Sequence, residues 1–377
     1  MTVIDRYLVQ IYLKVLLVSF ASLVGLFVVI DAFNNLAEFL DYGNHSPLET
    51  AKVIWAYYAP RALQLFDKIS GLLAMLAATF VITSIARTNE LTAIMAAGIG
   101  PSRVIRPLLS ASIFVALLAA ANREVGLPKV RDSLSKNAQD WTGETGRKCT
   151  PKYDRSDILI SGQFTFANQK RLASPLFGLP PELVAWGRKV AADNAFYLPA
   201  EDSRPAGYLL TGVKQPTNLG QLRSCGLGEG PILCSPLDTP WLKPDECFVV
   251  STVTFEQLSI GSAWRQNLSS AELISGLRGQ TIDPGADVYL TLHSRFVRPL
   301  LDMSLVLVGI PLVLRRETRN IFMAAVMGLG LVVALWAVVM ASDALGRNYL
   351  ISAALAAWLP LLVFGPLAYT TARPLWD

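Results

Sequence analysis

Apolar positions in this chain cluster in six continuous runs, at residues 8–30, 63–86, 104–121, 296–314, 321–342 and 350–370. Each is close to the ~20 residues that a helix needs to cross a hydrocarbon core, and a helix satisfies every backbone group inside lipid. Between the third and fourth runs lies a polar stretch, residues 122–294, long enough for a folded domain. Within it the pattern changes to short β-rich segments at 158–160, 164–166, 208–213 and 248–255, broken repeatedly by Pro and Gly. Both faces of 248–255 are moderately apolar, which suits a sandwich or jelly-roll better than a one-sided sheet. Ser269 and Glu272 have capping-box spacing ahead of Leu273, Ile274 and Leu277, predicting a short amphipathic helix that leads back to the fourth run. The expected fold is a membrane α-helical protein of six transmembrane helices, with a large all-β, jelly-roll-like domain inserted between helices 3 and 4. The expected boundaries are 1–122, 123–294 and 295–377.

Charge orients this arrangement. Arg6, Arg87, Arg103, Arg106, Arg315, Arg316, Arg319 and Arg373 fall on one side if the chain alternates across the membrane, while the opposite short connections hold only Lys52, Arg61 and Arg347. Basic residues near helix ends resist translocation, so both termini are expected in the cytoplasm and the inserted domain outside it. The first run is too long for a signal-peptide core and has no small-residue cleavage site after it, so it reads as a permanent anchor. Cysteine usage agrees: Cys149, Cys225, Cys234 and Cys247 all lie in the exported stretch, where disulfides persist. Spacing without a C-x-x-C knuckle disfavours zinc. Buried thiols are the plain alternative to at least one bond, most simply Cys225–Cys234 across the turn of Gly226, Gly228 and Gly230.

Composition agrees with the membrane reading: 52% of the 377 residues are hydrophobic and only 16% charged, against roughly 25% charged in soluble domains. A net charge of +4 is too small for a nucleic-acid footprint. Catalytic signals are scarce. His45 and His293 stand apart from any ligand-spaced partner, and neither a Walker A loop nor a GxSxG elbow occurs. No metal or cofactor is implied, and ATP-driven work requires a separate subunit.

The connection after the second run is more informative. Thr88 or Asn89 can cap a short helix favouring Glu90 at its start, with Leu91, Ile94, Met95 and Gly98 on one face, Gly98 or Gly100 ending it and Pro101 opening the next helix. It reads either as a lipid-facing elbow or as a helix docking into a groove on a cytoplasmic partner. Charged residues also enter the apolar runs. Arg61, Asp67 and Lys68 precede or open the second, and Arg298 and Asp302 sit at i, i+4 in the fourth. For Arg298 and Asp302 the readings are an intrahelical ion pair or a cavity role. For Arg61 and Lys68 they are interfacial snorkelling or, with Arg298, binding of lipid phosphates.

Asp5-Arg6-Tyr7 opening the first run, the elbow from Glu90-Leu91 to Ala97-Gly98-Ile99, and His293-x-Arg295-Phe296-x-x-Pro299 leading to Gly309-Ile310-Pro311-Leu312 resemble the LptF/LptG permeases of lipopolysaccharide export. The resemblance covers nearly the whole chain, and the opening is somewhat closer to LptG. It implies an inner-membrane half-transporter that pairs with the paralogous permease and with a dimeric LptB-like ATPase docking on Glu90, Leu91, Ile94, Met95 and Gly98. It also implies that the periplasmic domain passes lipopolysaccharide, or a related anionic glycolipid, to LptC- and LptA-like bridge proteins. The chain departs from the family pattern at Asp31, Asn34, Asn35 and Glu38, where basic residues are usual, at Lys68 and at Asp302. The competing reading is a membrane-anchored assembly or sensory protein without transport activity.

Overall fold

The computed structural model describes residues 3–42, 46–136, 138–140, 143–201, 204–226, 230–259, 266–278, 285–314 and 321–373. His45, Gly228, Arg315, Arg316 and Arg319, on which some expectations rest, lie outside the described residues. The chain divides into two compact units, one of residues 1–130, 268–273 and 284–377, the other of 131–267 and 274–283.

The first unit is helical. It opens with α1 (Val3–Asn34), α2 (Leu36–Tyr42), α3 (Pro47–Arg87), α4 (Glu90–Ala96) and α5 (Pro101–Ala121). A π-helical turn, Asn122–Gly126, then carries the chain without a break into α6 (Leu127–Ser135). The expected boundary at 122 therefore falls inside a helical run, and the division by contacts comes at 130 instead. The second unit's strands are followed by its own short α7 (Phe255–Ser259) and by α8 (Ser270–Arg278), whose first turn belongs to the first unit, and the first unit then continues with α9 (Ala286–Leu314), α10 (Ile321–Arg347) and α11 (Ala353–Ala372). Among the described residues, five helices are long and apolar enough to cross a membrane: α1, α3, the run Pro101–Leu134, the segment Val326–Arg347 of α10, and α11. The expected fourth span corresponds to α9, which is 29 residues long and begins well before the apolar run.

These helices are apolar nearly all round, as segments facing lipid or neighbouring helices must be. Burial ranks them: 67% of the apolar window of α3 is buried but only 6% of that of α1, so α3 is central and α1 peripheral. Leu73, Met75, Val81 and Ile82 of α3 pack with Ile105 and Leu108 of α5 and with Leu305, Val306 and Ile310 of α9. Prolines stand inside α3 (Pro60), α5 (Pro107), α9 (Pro299, Pro311) and α11 (Pro360, Pro366). An interior proline costs ~3 kcal/mol in a water-exposed helix, whereas neighbouring helices re-satisfy the freed carbonyls in a membrane bundle. The capping box forms as its spacing predicts. Ser269 N donates to Glu272 Oε2 at 2.7 Å, and Glu272 N donates to Ser269 Oγ at 3.1 Å.

The second unit is a curled antiparallel sheet. Its strands are β1 (Arg147–Lys148), β2 (Lys152–Tyr153), β3 (Leu159–Ser161), β4 (Phe164–Phe166), β5 (Arg171–Ala173), β6 (Leu176–Gly178), β7 (Lys189–Leu198), β8 (Gly207–Gln215), β9 (Leu233–Cys234) and β10 (Glu246–Val250). The first six behave as three longer strands, each interrupted once. Arg147↔Thr165 in β1–β4 and Tyr153↔Leu159 in β2–β3 keep one hairpin register. Phe166↔Arg171 and Leu159↔Gly178 keep the next, and β7 pairs with both β5 and β6 in a single register. The interruptions align at 149–151, 162–163 and 174–175 and form a crease across the sheet. Pro151 and Pro175 cannot donate to a ladder, Ser174 has a φ of 47°, and a Cβ on Gly162 would overlap the Leu172 side chain. Beyond β7 the order continues β8, β10, β9, a meander with its last two strands exchanged.

The strand expected over 248–255 stops at Val250. Ser251 Oγ accepts from Val253 N at 3.0 Å, and Asp154 accepts from both the amide and the hydroxyl of Thr252, which bends the chain into α7. As expected, β10 is apolar on both faces: Cys247 and Val249 join the main core around Trp186, Phe177 and Tyr208, while Phe248 packs with Cys234 and Leu242 on the other side.

All four cysteines are free thiols in the structure, so the expected Cys225–Cys234 bond is not formed. The reason is strand parity. Cys225 sits opposite Leu233 in an antiparallel bridge, so the next residue, Cys234, projects to the other face. Burial pushes the Cys149 thiol up to about 11 and the Cys247 thiol up to about 12. A proton held by the folded state and released by the unfolded one makes stability fall as pH rises past the ordinary thiol value of 9.0. Without reductant, all four thiols are expected to take up maleimide in denaturant, and half-exposed Cys225 to react ahead of Cys247 in the native protein at pH 8. Mass spectrometry of the adducts reads both, and fewer than four labels in denaturant would restore the disulfide.

Candidate functional site

Two features of the helical unit stand out chemically: the elbow between α3 and α5, and a buried ion network where α3, the π-turn and α9 meet. The elbow is built around α4. Its end is a Schellman closure, with Gly98 N donating to Met95 O at 2.9 Å and Ile99 N donating to Ile94 O at 3.2 Å. Gly98 takes the left-handed φ of +81° that this closure needs. The beginning differs from expectation. Asn89 occupies the N-cap position with φ 59° and makes no side-chain cap. Thr88 instead donates its hydroxyl to Glu90 Oε1 at 2.9 Å, and Tyr7 on α1 donates to Glu90 Oε2 at 3.3 Å. The residues expected on one docking face divide in two. Leu91 and Ile94 turn inward and pack on the helical core, which anchors α4, while Met95 is 49% exposed beside exposed Thr92, Ala96 and Gly98. Arg103, one turn into α5, donates to Asp5 of α1 at 3.3 Å.

The ion network is centred on Asp67 of α3. Arg123, in the π-turn, donates through Nε to Asp67 Oδ1 at 2.9 Å and brings Nη2 to 2.8 Å from the same oxygen. Both residues are buried. Arg298 of α9 lies 3.8 Å from Asp67 Oδ2, and its Nη2 donates to the carbonyls of Asp67 and Lys68, each at 3.0 Å. Of the two readings of Arg298 and Asp302, an intrahelical ion pair or a cavity role, neither accounts for these contacts of Arg298 with α3. Asp302 leans against α3 at Gly71, where a Cβ would overlap its carboxylate. One helical step further along the π-turn, Glu124 accepts from the amide and hydroxyl of Ser270, both at 2.7 Å, and lies 3.6 Å from Arg295. Ionisable groups at membrane depth are costly unless they pair or line a cavity, and here three carboxylates and three arginines interleave.

The three expected phosphate contacts do not converge. Lys68 is exposed and meets Arg298 only through its carbonyl. Arg61 stands two helical turns before Lys68, its guanidinium 3.3 Å from the centroid of the Tyr57 ring and its Nη1 donating to Tyr57 O at 2.8 Å. Arg123 and Glu124 were not singled out in the sequence. The available signal was an adjacent pair of opposite charges directly after an apolar run, where a helix that continues must bury them.

Several long apolar helices, an ion network buried among them and a separate curled sheet define a multi-pass membrane protein. The profile of the family described as "Lipopolysaccharide export system permease LptF/LptG" matches residues 6–148 and 193–373, and the chain belongs to that family. It is therefore a transport component of an inner-membrane export system and not an enzyme. The unmatched segment, 149–192, holds most of the creased strands. Among curated proteins, no relative matches the chain.

Proposed function

We propose that this chain is one of two paired permease subunits of an ABC exporter that extracts lipopolysaccharide, or a related anionic glycolipid, from the inner membrane. In this reading α9 is the fourth of six spans, both termini are cytoplasmic, and the curled sheet is the periplasmic, jelly-roll-like domain that hands the lipid to LptC- and LptA-like bridge proteins. A separate LptB-like ATPase dimer docks on the elbow. The observation that carries the reading is the family match on both membrane halves, joined to an elbow whose apolar anchors Leu91 and Ile94 are turned inward while Glu90, Met95 and Gly98 border an open face. The arginines Arg61 and Arg298, with Lys68, supply positive charge for a phosphorylated headgroup once the helices part. Affinity purification of the tagged chain in mild detergent tests this. Recovery of a small ATPase together with a second permease is expected, and recovery of neither would favour a membrane anchor for an exported domain.

A further inference from the structure

The Asp5-Arg6-Tyr7 segment lies at the start of α1, a helix that the transport reading uses only as a span. Its two flanking residues reach the two ends of the elbow. Tyr7 donates its hydroxyl to Glu90, the first residue of α4, at 3.3 Å. Asp5, which is 8% exposed, accepts from Arg103, the third residue of α5, at 3.3 Å. The same face of α1 carries Leu8, Tyr12 and Leu16, all buried in the helical core, and Tyr12 shares a hydrogen bond with Ser112 of α5 at 3.1 Å. The start of α1 is thus fastened to α5 at two levels while a third side chain holds the elbow's acid.

We propose that Asp5 and Tyr7 are positioning residues of the elbow. They make α1 a third support for it beside α3 and α5, so that force applied to α4 passes into α1 as well. The geometry explains why the side chains at these two places are an acid and a phenol. Asp5 needs a charge to hold Arg103 from a buried site, and Tyr7 needs a long donor to reach Glu90 from an exposed one. The Tyr7 hydroxyl donates a hydrogen bond to the Glu90 carboxylate, which restrains the Glu90 rotamer and leaves its charge in place.

The role in coupling rests on the proposed docking of an ATPase, whereas the positioning itself does not, and the two are separable by experiment. Amide hydrogen exchange of residues 89–99 is followed in the full chain in detergent, without any ATPase. Tyr7→Phe and Asp5→Ala are each expected to speed exchange in the elbow by about fivefold, the effect of losing one hydrogen bond, while α11 stays at the wild-type rate. The reversed pair, Asp5→Arg with Arg103→Asp, is expected to return the elbow towards wild-type protection. Unchanged exchange in both single variants, or a reversed pair no better protected than Asp5→Arg alone, would overturn the proposal. Failure of the wild-type chain to recover an ATPase would strike the docking reading alone and leave the exchange result standing. In the assembled exporter, Tyr7→Phe is expected to lower substrate-stimulated ATP hydrolysis at unchanged ATPase recovery, and unaltered stimulation would remove α1 from the coupling route.

Discussion

Arg123→Met is expected to destabilise the helical unit by about 3 to 5 kcal/mol, the usual cost of stranding one member of a buried ion pair. Asp67 would keep only Arg298, at 3.8 Å, in place of the two close approaches of 2.9 and 2.8 Å that Arg123 now makes. Thermal unfolding of the purified chain in detergent measures the loss. The double variant Asp67→Leu with Arg123→Met is expected to recover part of it, because removing both members of a buried pair is close to neutral while Arg298 loses the Asp67 carboxylate and keeps its two carbonyl acceptors. A single variant as stable as wild type would mean that water reaches the pair.

If the proposed ATPase docks on the elbow, Glu90→Lys is expected to reduce its recovery by more than about tenfold while the chain stays folded. Reversing the charge turns an attraction for a basic partner into a repulsion, and like charges juxtaposed across an interface cost several kcal/mol. Within the chain the change removes the acceptor of Thr88 and Tyr7, both at exposed hydrogen bonds, so the internal penalty is small by comparison. Glu90→Gln, which keeps a hydrogen-bond acceptor and drops the charge, is expected to fall between the two. Equal recovery with Glu90, Gln and Lys, measured by quantitative blotting of the ATPase, would show that docking does not use this residue.

Five of the six expected spans coincide with helices long and apolar enough to cross a membrane, because apolar length is a local property of the sequence. The helix ends were not legible in this way: α3 starts at Pro47 and α9 at Ala286, many residues before the apolar runs. A helix continues past the hydrocarbon wherever its polar residues find partners, as Tyr58 does with Asp31 at 2.7 Å. The capping box at Ser269 and the closure at Gly98 were legible for the same local reason. What the sequence hid were contacts whose partners lie far along the chain. Asp67 and Arg123 are 56 residues apart, and nothing at either position announces the other. The Arg298–Asp302 spacing left an intrahelical pair and a cavity role both open, and the contacts that Arg298 makes are with Asp67 and Lys68 of α3. The disulfide expectation failed through one residue of parity, which a turn of unknown register cannot reveal.

The crease across β1–β6 sets a rule about length. Because the register on either side of it is continuous, the three interrupted strands must spend matching numbers of residues in crossing it. One extra residue between Lys148 and Lys152 would turn Lys152 and Tyr153 to opposite faces and slide β2 along β3. Insertions or deletions in this part of the chain are therefore tolerated only as compensated sets across neighbouring strands, or in the turns that join them. The inward-facing side chains Ile160, Leu172 and Phe177 are fully buried in the core and carry their own constraint of size and polarity. Most of the strands under this rule, β2 to β6, lie within residues 149–192, the segment that the family profile leaves unmatched.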